Sequence, residues 1–401
     1  MTYPVWFHHL YMAGLKLAAR YLPITKPTMF IGHGAVSQLC HSVGLMGCRR
    51  VLVVTDSDMV ELGFAAQLQT KLESYGVDST LFADVVPDPT YTEAQRGHMR
   101  YQQQQCDAVV ALGGGSPMDC AKVIAALATN KRSVKQLSGL LKVRQPPAPL
   151  FVIPTTAGTG SEVTVAAVVS NPQSHQKTPL MDPKLMPLVA ALDPDLMMGL
   201  PAHITAQTGI DALTHAIEAY LSRNATPETD RHALAAFRLI TDNLESAVKV
   251  GSNRAVRLNM SLAAYYAGLA FTKASLGYVH AIAHTLGSQY QIPHGLANAL
   301  ALPHVMQFSK SHAAAKMKAL AVAGGVASEQ STPESAAQAL IDYIHQLCAA
   351  IGLPHDLEEI QEEDIAAMVA QALKEAYWNY PVPKLMSPKD CQSIFRLLMR
   401  Q

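Results

Sequence analysis

The sequence predicts an α/β domain built on a parallel sheet, followed by an all-helical domain. Three observations carry this. Between residues 51 and 156, short apolar runs alternate with helical patterns, the arrangement that yields a parallel sheet with helices on its faces. Beyond Asp193-Pro194-Asp195 and Pro201 the β-branched runs stop and apolar residues recur at helical spacing. The 401 residues are also 49% apolar and only 15% charged, which is enough for two well-buried domains, expected at 1–200 and 201–401.

VLVVTD (51–56), STLFADVV (79–86), DAVVALGGG (107–115) and PLFVIPTT (149–156) read as strands. Such sheets bind ligands beyond the carboxyl ends of their strands, where this chain places Asp56, Pro87-Asp88-Pro89, Gly113-Gly114-Gly115 and Thr155-Thr156. In the second half, Ile210, Leu213, Ile217 and Leu221 mark a helical stripe. Residues 334–352 and 363–378 repeat that signature, with Gly352 as a stop. No low-complexity linker separates the halves, so they are expected to pack tightly around a cleft.

Lys and Arg total 31, as do Asp and Glu. That balance argues against a nucleic-acid partner or a membrane surface held by charge. No apolar run of membrane-spanning length occurs, and the N-terminal segment does not read as a signal peptide. Six scattered cysteines without a CxxC pair point to a reduced, cytoplasmic protein. The oddity is histidine: there are 16, with His280, His284, His294 and His304 clustered.

Gly113-Gly114-Gly115-Ser116-Pro117-Met118-Asp119 follows a strand, and Ser116, Pro117 and Asp119 suit the N-cap, first and capping-box positions of a helix. Glycines before a helix N-terminus let backbone N–H groups approach a phosphate, although a tight structural turn would look the same. Pro154-Thr155-Thr156-Ala157-Gly158-Thr159-Gly160 is a second polar strand end, and two such loops on one sheet fit a dinucleotide. Asp56 could cap a helix, or accept from ribose hydroxyls and repel a 2′-phosphate. Asp211 and His215 lie four apart, as do His280 and His284, and His294 follows. Two helical faces of this kind can enclose Fe²⁺, Zn²⁺, Mn²⁺ or Ni²⁺.

VTD (54–56), VVPDPT (85–90), GGGSPMDCAK (113–122), PTTAGTGSEVT (154–164), GIDALTHAIEAY (209–220) and the stretch 277–305 together resemble the iron-containing (group III) alcohol dehydrogenase family. The resemblance implies a dinucleotide-binding α/β domain and a helical domain in a dehydroquinate synthase-like architecture, with a divalent metal in the cleft, iron by family and zinc as the competitor. It implies Asp211, His215, His280 and His294 as metal ligands and His284 as a proton-handling catalytic residue. Asp56, Gly114, Gly115, Ser116, Thr155, Thr156 and Lys177 would touch NAD. Gly113, Asp119, Thr159 and Asp88 lie in the same loops and complete the candidate set. The family usually carries Asn where this chain has Asp88, which is expected to alter cofactor affinity. It also departs from the family pattern at Trp378-Asn379-Tyr380-Pro381-Val382-Pro383. A homodimer is expected.

The expected activity is NAD(H)-linked interconversion of a small alcohol and its aldehyde or ketone, with the metal as Lewis acid. A lyase resembling dehydroquinate synthase would need Lys or Arg for substrate anions, and the stretches 205–220 and 277–305 contain none. A metal hydrolase with purely structural glycine loops, or a metal or nucleotide sensor, are the remaining readings. Leu276, Tyr278 and Phe271 are candidate apolar pocket residues, suiting an uncharged substrate.

Overall fold

The computed structural model describes residues 5–21, 24–173 and 177–400. Its strands are β1 (Thr28–Ile31), β2 (Arg50–Val54), β3 (Asp78–Phe82), β4 (Ala108–Gly113), β5 (Gly139–Leu140), β6 (Leu150–Pro154), β7 (Ala166–Ser170), β8 (Lys177–Met181) and β9 (Val189–Leu192). Helices of the first half, after α1 (Val5–Tyr21), are α2 (Ala35–Leu45), α3 (Ser57–Glu61), α4 (Phe64–Ser74), α5 (Tyr91–Gln103), α6 (Gly115–Thr129) and α7 (Val134–Leu137). The second half adds α8 (Ala202–Leu221), α9 (Pro227–Lys249), α10 (Arg254–Ala274), α11 (Tyr278–Tyr290), α12 (His294–Ala323), α13 (Pro333–Ala350), α14 (Ile365–Asn379) and α15 (Pro388–Leu398).

The chain separates into two compact units, Pro23–Leu200 and Met1–Leu22 with Pro201–Gln401. In the first, six strands form a parallel sheet in the order β1-β9-β6-β4-β2-β3. The four expected strands are its middle and one edge. β1 and β9 extend the other side, and β5, β8 and β7 form a small second sheet.

Successive strand residues point to opposite faces, and both faces are buried. Leu52, Val54, Val109, Ala111 and Val152 pack into one core with residues of α5 and α6. Val51, Val53, Val110, Leu112, Phe151 and Ile153 pack into another with residues of α2 and α4. Burial on both faces is why these strands are unbroken apolar runs rather than alternating ones.

The second unit is helical, and α8 is its central element, buried at every position from Gly209 to Leu221. Helix α1, expected within a first domain of 1–200, groups with this unit instead. The reason is aromatic and polar docking. Phe7 and Tyr11 meet Trp378 edge-on, His8 Nδ1 bonds the Tyr377 carbonyl at 2.9 Å, and Lys16 Nζ donates to the Arg223 carbonyl. Gly352 lies just past α13 at φ +78°, as a helix stop requires. No helix of the described residues is long and apolar enough to cross a membrane.

His304 of α12 faces His345, ring centroids 5.9 Å apart. Burial, and then His345, hold the His304 imidazole below its ordinary pKa of 6.5. The unfolded chain therefore binds more protons, and stability falls as pH drops below that value. His304→Gln is expected to make the decline of Tm between pH 6.5 and 5.5 shallower. An unchanged slope would contradict this.

Candidate metal centre and dinucleotide turn

In the helical unit, Asp211, His215 and Glu218 occupy one face of α8 at i, i+4 and i+7. Asp211 Oδ1 lies 3.7 Å from His215 Nε2, 3.7 Å from His280 Nε2 and 3.5 Å from His294 Nε2. These separations are too long for hydrogen bonds. They approach the spacing of about 3.4 Å between donors around a tetrahedral cation with bonds near 2.1 Å. Asp211, His215 and His280 are buried, and His280 Nε2 has no hydrogen-bond partner among the described residues. An orphaned imidazole nitrogen aimed at a carboxylate, with two further imidazoles beside it, fits a divalent metal. Burial alone would raise the Asp211 carboxyl, but His215, His294 and His280 outweigh it and hold it well below the usual range.

Close helix packing assembles this set. A side chain at Gly295 would strike the Gln207 carbonyl of α8, 2.2 Å from its Cβ position, so glycine is what lets His294, at the start of α12, reach Asp211. Phe271 stacks on His215 with centroids 4.3 Å apart, and His280 stacks on it at 4.6 Å.

Three supporting residues were not anticipated. Glu218 accepts from Gly277 N at 2.9 Å, Val279 N at 2.7 Å and His280 Nδ1 at 2.6 Å. It thereby caps α11 and fixes the proton of His280 on Nδ1, leaving Nε2 as the ligating atom. Its i+7 spacing from Asp211 was the available signal. Asn298, buried, donates Nδ2 to Asp211 Oδ1 at 2.8 Å, and it follows His294 by one helical turn. Glu375 accepts from His284 Nδ1 at 2.7 Å and from the Tyr380 hydroxyl at 2.6 Å. The unusual 378–383 segment thus supplies Tyr380 to orient His284. Burial raises the Glu375 carboxyl, but His284, the Tyr380 hydroxyl and His280 together outweigh it and lower it. Leu276 and Tyr278 line an apolar cavity with Ile217, Val305 and Pro381, and the Tyr278 hydroxyl is engaged by Met386 N.

In the sheet unit, α6 begins at Gly115 with Gly114 at the N-cap and no side-chain cap. This corrects the expectation that Ser116, Pro117 and Asp119 cap the helix, which starts two residues earlier. The extended Gly114 leaves the first N–H groups open, whereas a Ser116 hydroxyl cap would have engaged one of them. Gly113 has φ +146°, a side chain at Gly115 would meet Thr159 Cγ2 at 2.7 Å, and one at Gly114 would meet Thr156 Oγ1 at 3.3 Å. The two glycine-bearing loops therefore close on each other, with Asp56 Oδ2 3.4 Å from the Gly113 Cβ position. Asp56 also caps α3 through Met59 N.

Other candidates lie differently. Thr155 is buried. Asp119 accepts from the Ser161 hydroxyl at 2.7 Å and Val168 N at 2.9 Å, so it anchors the second loop. Lys122, one helical turn further on α6 and fully buried, donates to Ser161 Oγ, Thr164 Oγ1 and the carbonyls of Thr164 and Ala166 at 2.8–3.0 Å. Burial pulls its ammonium down while Asp119 and Glu162 push back. Lys177 and Asp88 pair with one another at 2.7 Å.

Two outcomes follow from these supports. Glu218→Gln should weaken metal binding by about 10–100-fold, measured by competition with a chelating dye, because the amide no longer enforces the Nδ1 proton. Lys122→Met removes the donor from the buried Thr164 carbonyl, at a cost of about 1–3 kcal/mol. It should lower Tm and weaken dinucleotide binding at least tenfold by titration, and unchanged binding would dissociate the second loop from that role.

The chain matches the sequence pattern of iron-containing alcohol dehydrogenase over residues 26–194. Residues 205–399 match that of the Fe-containing alcohol dehydrogenase family, C-terminal. It is similar to a 1,3-propanediol dehydrogenase of Citrobacter freundii, 39% identical over 92% of this chain and 96% of that one. An NAD-dependent methanol dehydrogenase of Bacillus methanolicus is 36% identical over 92% and 97%. A crystal structure of 1,3-propanediol oxidoreductase superposes with a TM-score of 0.91 at 37% identity, covering 95% of this chain and all of the other. With a metal-compatible quartet, an open glycine turn and both family patterns in register, the chain belongs to the iron-containing alcohol dehydrogenase family.

Proposed function

We propose that the protein interconverts a small, uncharged alcohol and its aldehyde or ketone with NAD(H), with a divalent metal held by Asp211, His215, His280 and His294. The observation that carries this reading is the buried Asp211 carboxylate within 3.7 Å of three imidazole nitrogens. The bound metal supplies Lewis acidity to the substrate oxygen, and the nicotinamide carries the hydride.

The chain's own groups do the rest. Glu218 holds His280 in its ligating tautomer. Glu375 engages His284 Nδ1, so His284 Nε2 is the nitrogen that takes the alcohol proton during oxidation and returns it during reduction. Gly113, Gly114, Gly115 and Ser116 offer backbone to the pyrophosphate, Thr156 and Thr159 line the facing loop, and Asp56 accepts from the ribose. The donor set of three nitrogens and an oxygen, without thiolate, suits iron(II), with zinc as its competitor. The cysteines are free thiols, which supports a reducing, cytoplasmic setting, and family membership supports a homodimer.

His280→Ala is expected to lose bound metal by elemental analysis and alcohol oxidation by at least a thousandfold, while NADH titrates within about twofold of the parent. Full turnover by metal-stripped protein would overturn the metal-centred account. Absence of dinucleotide binding by the parent would overturn the dehydrogenase reading.

A further inference from the structure

Asp88 and Lys177 are bonded to each other, Lys177 Nζ donating to Asp88 Oδ1 at 2.7 Å. The Lys177 side chain is 16% exposed and that of Asp88 60%. The Asp88 loop and the β7–β8 hairpin are stitched together. Ser170 N donates to the Pro89 carbonyl at 2.8 Å, Ser170 pairs with Lys177 across the hairpin, and the Tyr91 hydroxyl donates to Thr178 Oγ1. The ammonium therefore stands on a fixed strand with its stem covered.

The sheet order places this pair. Outward from the glycine turn the strands run β4, β2, β3, with β3 at the edge. The end of β2 carries Asp56, and the loop after β3 carries Asp88. Val85 N of that loop donates to the carbonyl of Thr55 at 3.4 Å, beside Asp56. A dinucleotide with its pyrophosphate on the glycine turn extends its adenosine half over β2 and β3, toward Asp56 and then the Asp88–Lys177 pair. An isolated lysine there would be a ready partner for a ribose phosphate. Bonded to Asp88 it is neutralised, and Asp56 adds a second carboxylate.

We propose that Asp88 is a specificity-determining residue: by occupying Lys177 it makes the adenosine end of the site accept a free ribose 2′-hydroxyl and reject a 2′-phosphate. This rests on the dinucleotide reading above. The charge can be removed cleanly, because Asp88 has φ +53°, a left-handed conformation that Asn adopts as readily as Asp.

The test is fluorescence titration of the intact protein with NADH and NADPH. The parent is expected to prefer NADH. Asp88→Asn should narrow that preference at least tenfold, mainly by tightening NADPH, with the gain shrinking in high salt and absent from an Asp88→Asn, Lys177→Gln double variant. A ratio within twofold of the parent, or a gain that survives loss of Lys177, overturns the proposal. A parent that binds both dinucleotides equally overturns it while leaving the dehydrogenase reading intact, whereas a parent that binds neither overturns both. Should Asp88→Asn fail to fold, Lys177→Gln reads the same pair. It should widen the preference for NADH at least threefold, and no change overturns the proposal.

Discussion

One buried carboxylate, that of Glu218, holds three N–H groups from a different helix, and the candidate metal centre depends on it. Two of those donors are backbone groups at the start of α11, which no intrahelical bond can satisfy. The third is the His280 ring. A carboxylate at a helix N-terminus is favoured by the dipole, so the interaction that secures α11 also decides which imidazole nitrogen carries the proton. With that proton on Nε2, His280 would offer a donor where a lone pair is needed. The geometry of α11 and the chemistry of the site are thus set by the same two oxygens.

The sheet unit uses an ion of opposite sign for a similar purpose. Lys122 is fully buried and bonded to hydroxyls and carbonyls around residues 161–166. Asp119 holds the same segment through Ser161 and Val168. Burying a charge is costly unless its hydrogen-bonding capacity is met, and here two hydroxyls and two carbonyls between Ser161 and Ala166 meet it. The loop facing the glycine turn is therefore fixed from beneath, leaving Thr156 and Thr159 to meet whatever lies on the turn.

Much of the sheet was legible because its central strands are buried on both faces and leave continuous apolar runs. The four-residue strands Thr28–Ile31 and Val189–Leu192 are too short to stand out, and no local pattern tells Val5–Tyr21 that its partners are Tyr377 and Trp378. The pairs Asp211/His215 and His280/His284 were legible through i, i+4 spacing on helices, whereas the candidate quartet that takes His294 in place of His284 was implied only by the family resemblance. Glu218 extends the Asp211/His215 face by one more turn and was readable in principle. Glu375 and Asn298 were not, since they reach His284 and Asp211 across 91 and 87 residues and only folding sets those pairs. The Ser116-Pro117 capping signal obeyed local rules, yet the preceding glycines started the helix first.

Net charge of zero with only 15% charged residues provides no broad field for an anionic cofactor or a cation. The two units resolve this without surface charge. The uncapped start of α6 presents backbone N–H groups and a helix dipole, a setting that suits a phosphate without any titrating side chain. The candidate metal donors, three imidazoles and one carboxylate, stand on packed helices, and rigid elements place ligands more accurately than loops do. Asp88 and Lys177, in the loop after β3 and on β8, come as a bonded pair. The stretches 205–220 and 277–305, which bear the candidate ligands, carry no Lys or Arg, so the candidate site relies on a few groups held in fixed positions rather than on a charged field.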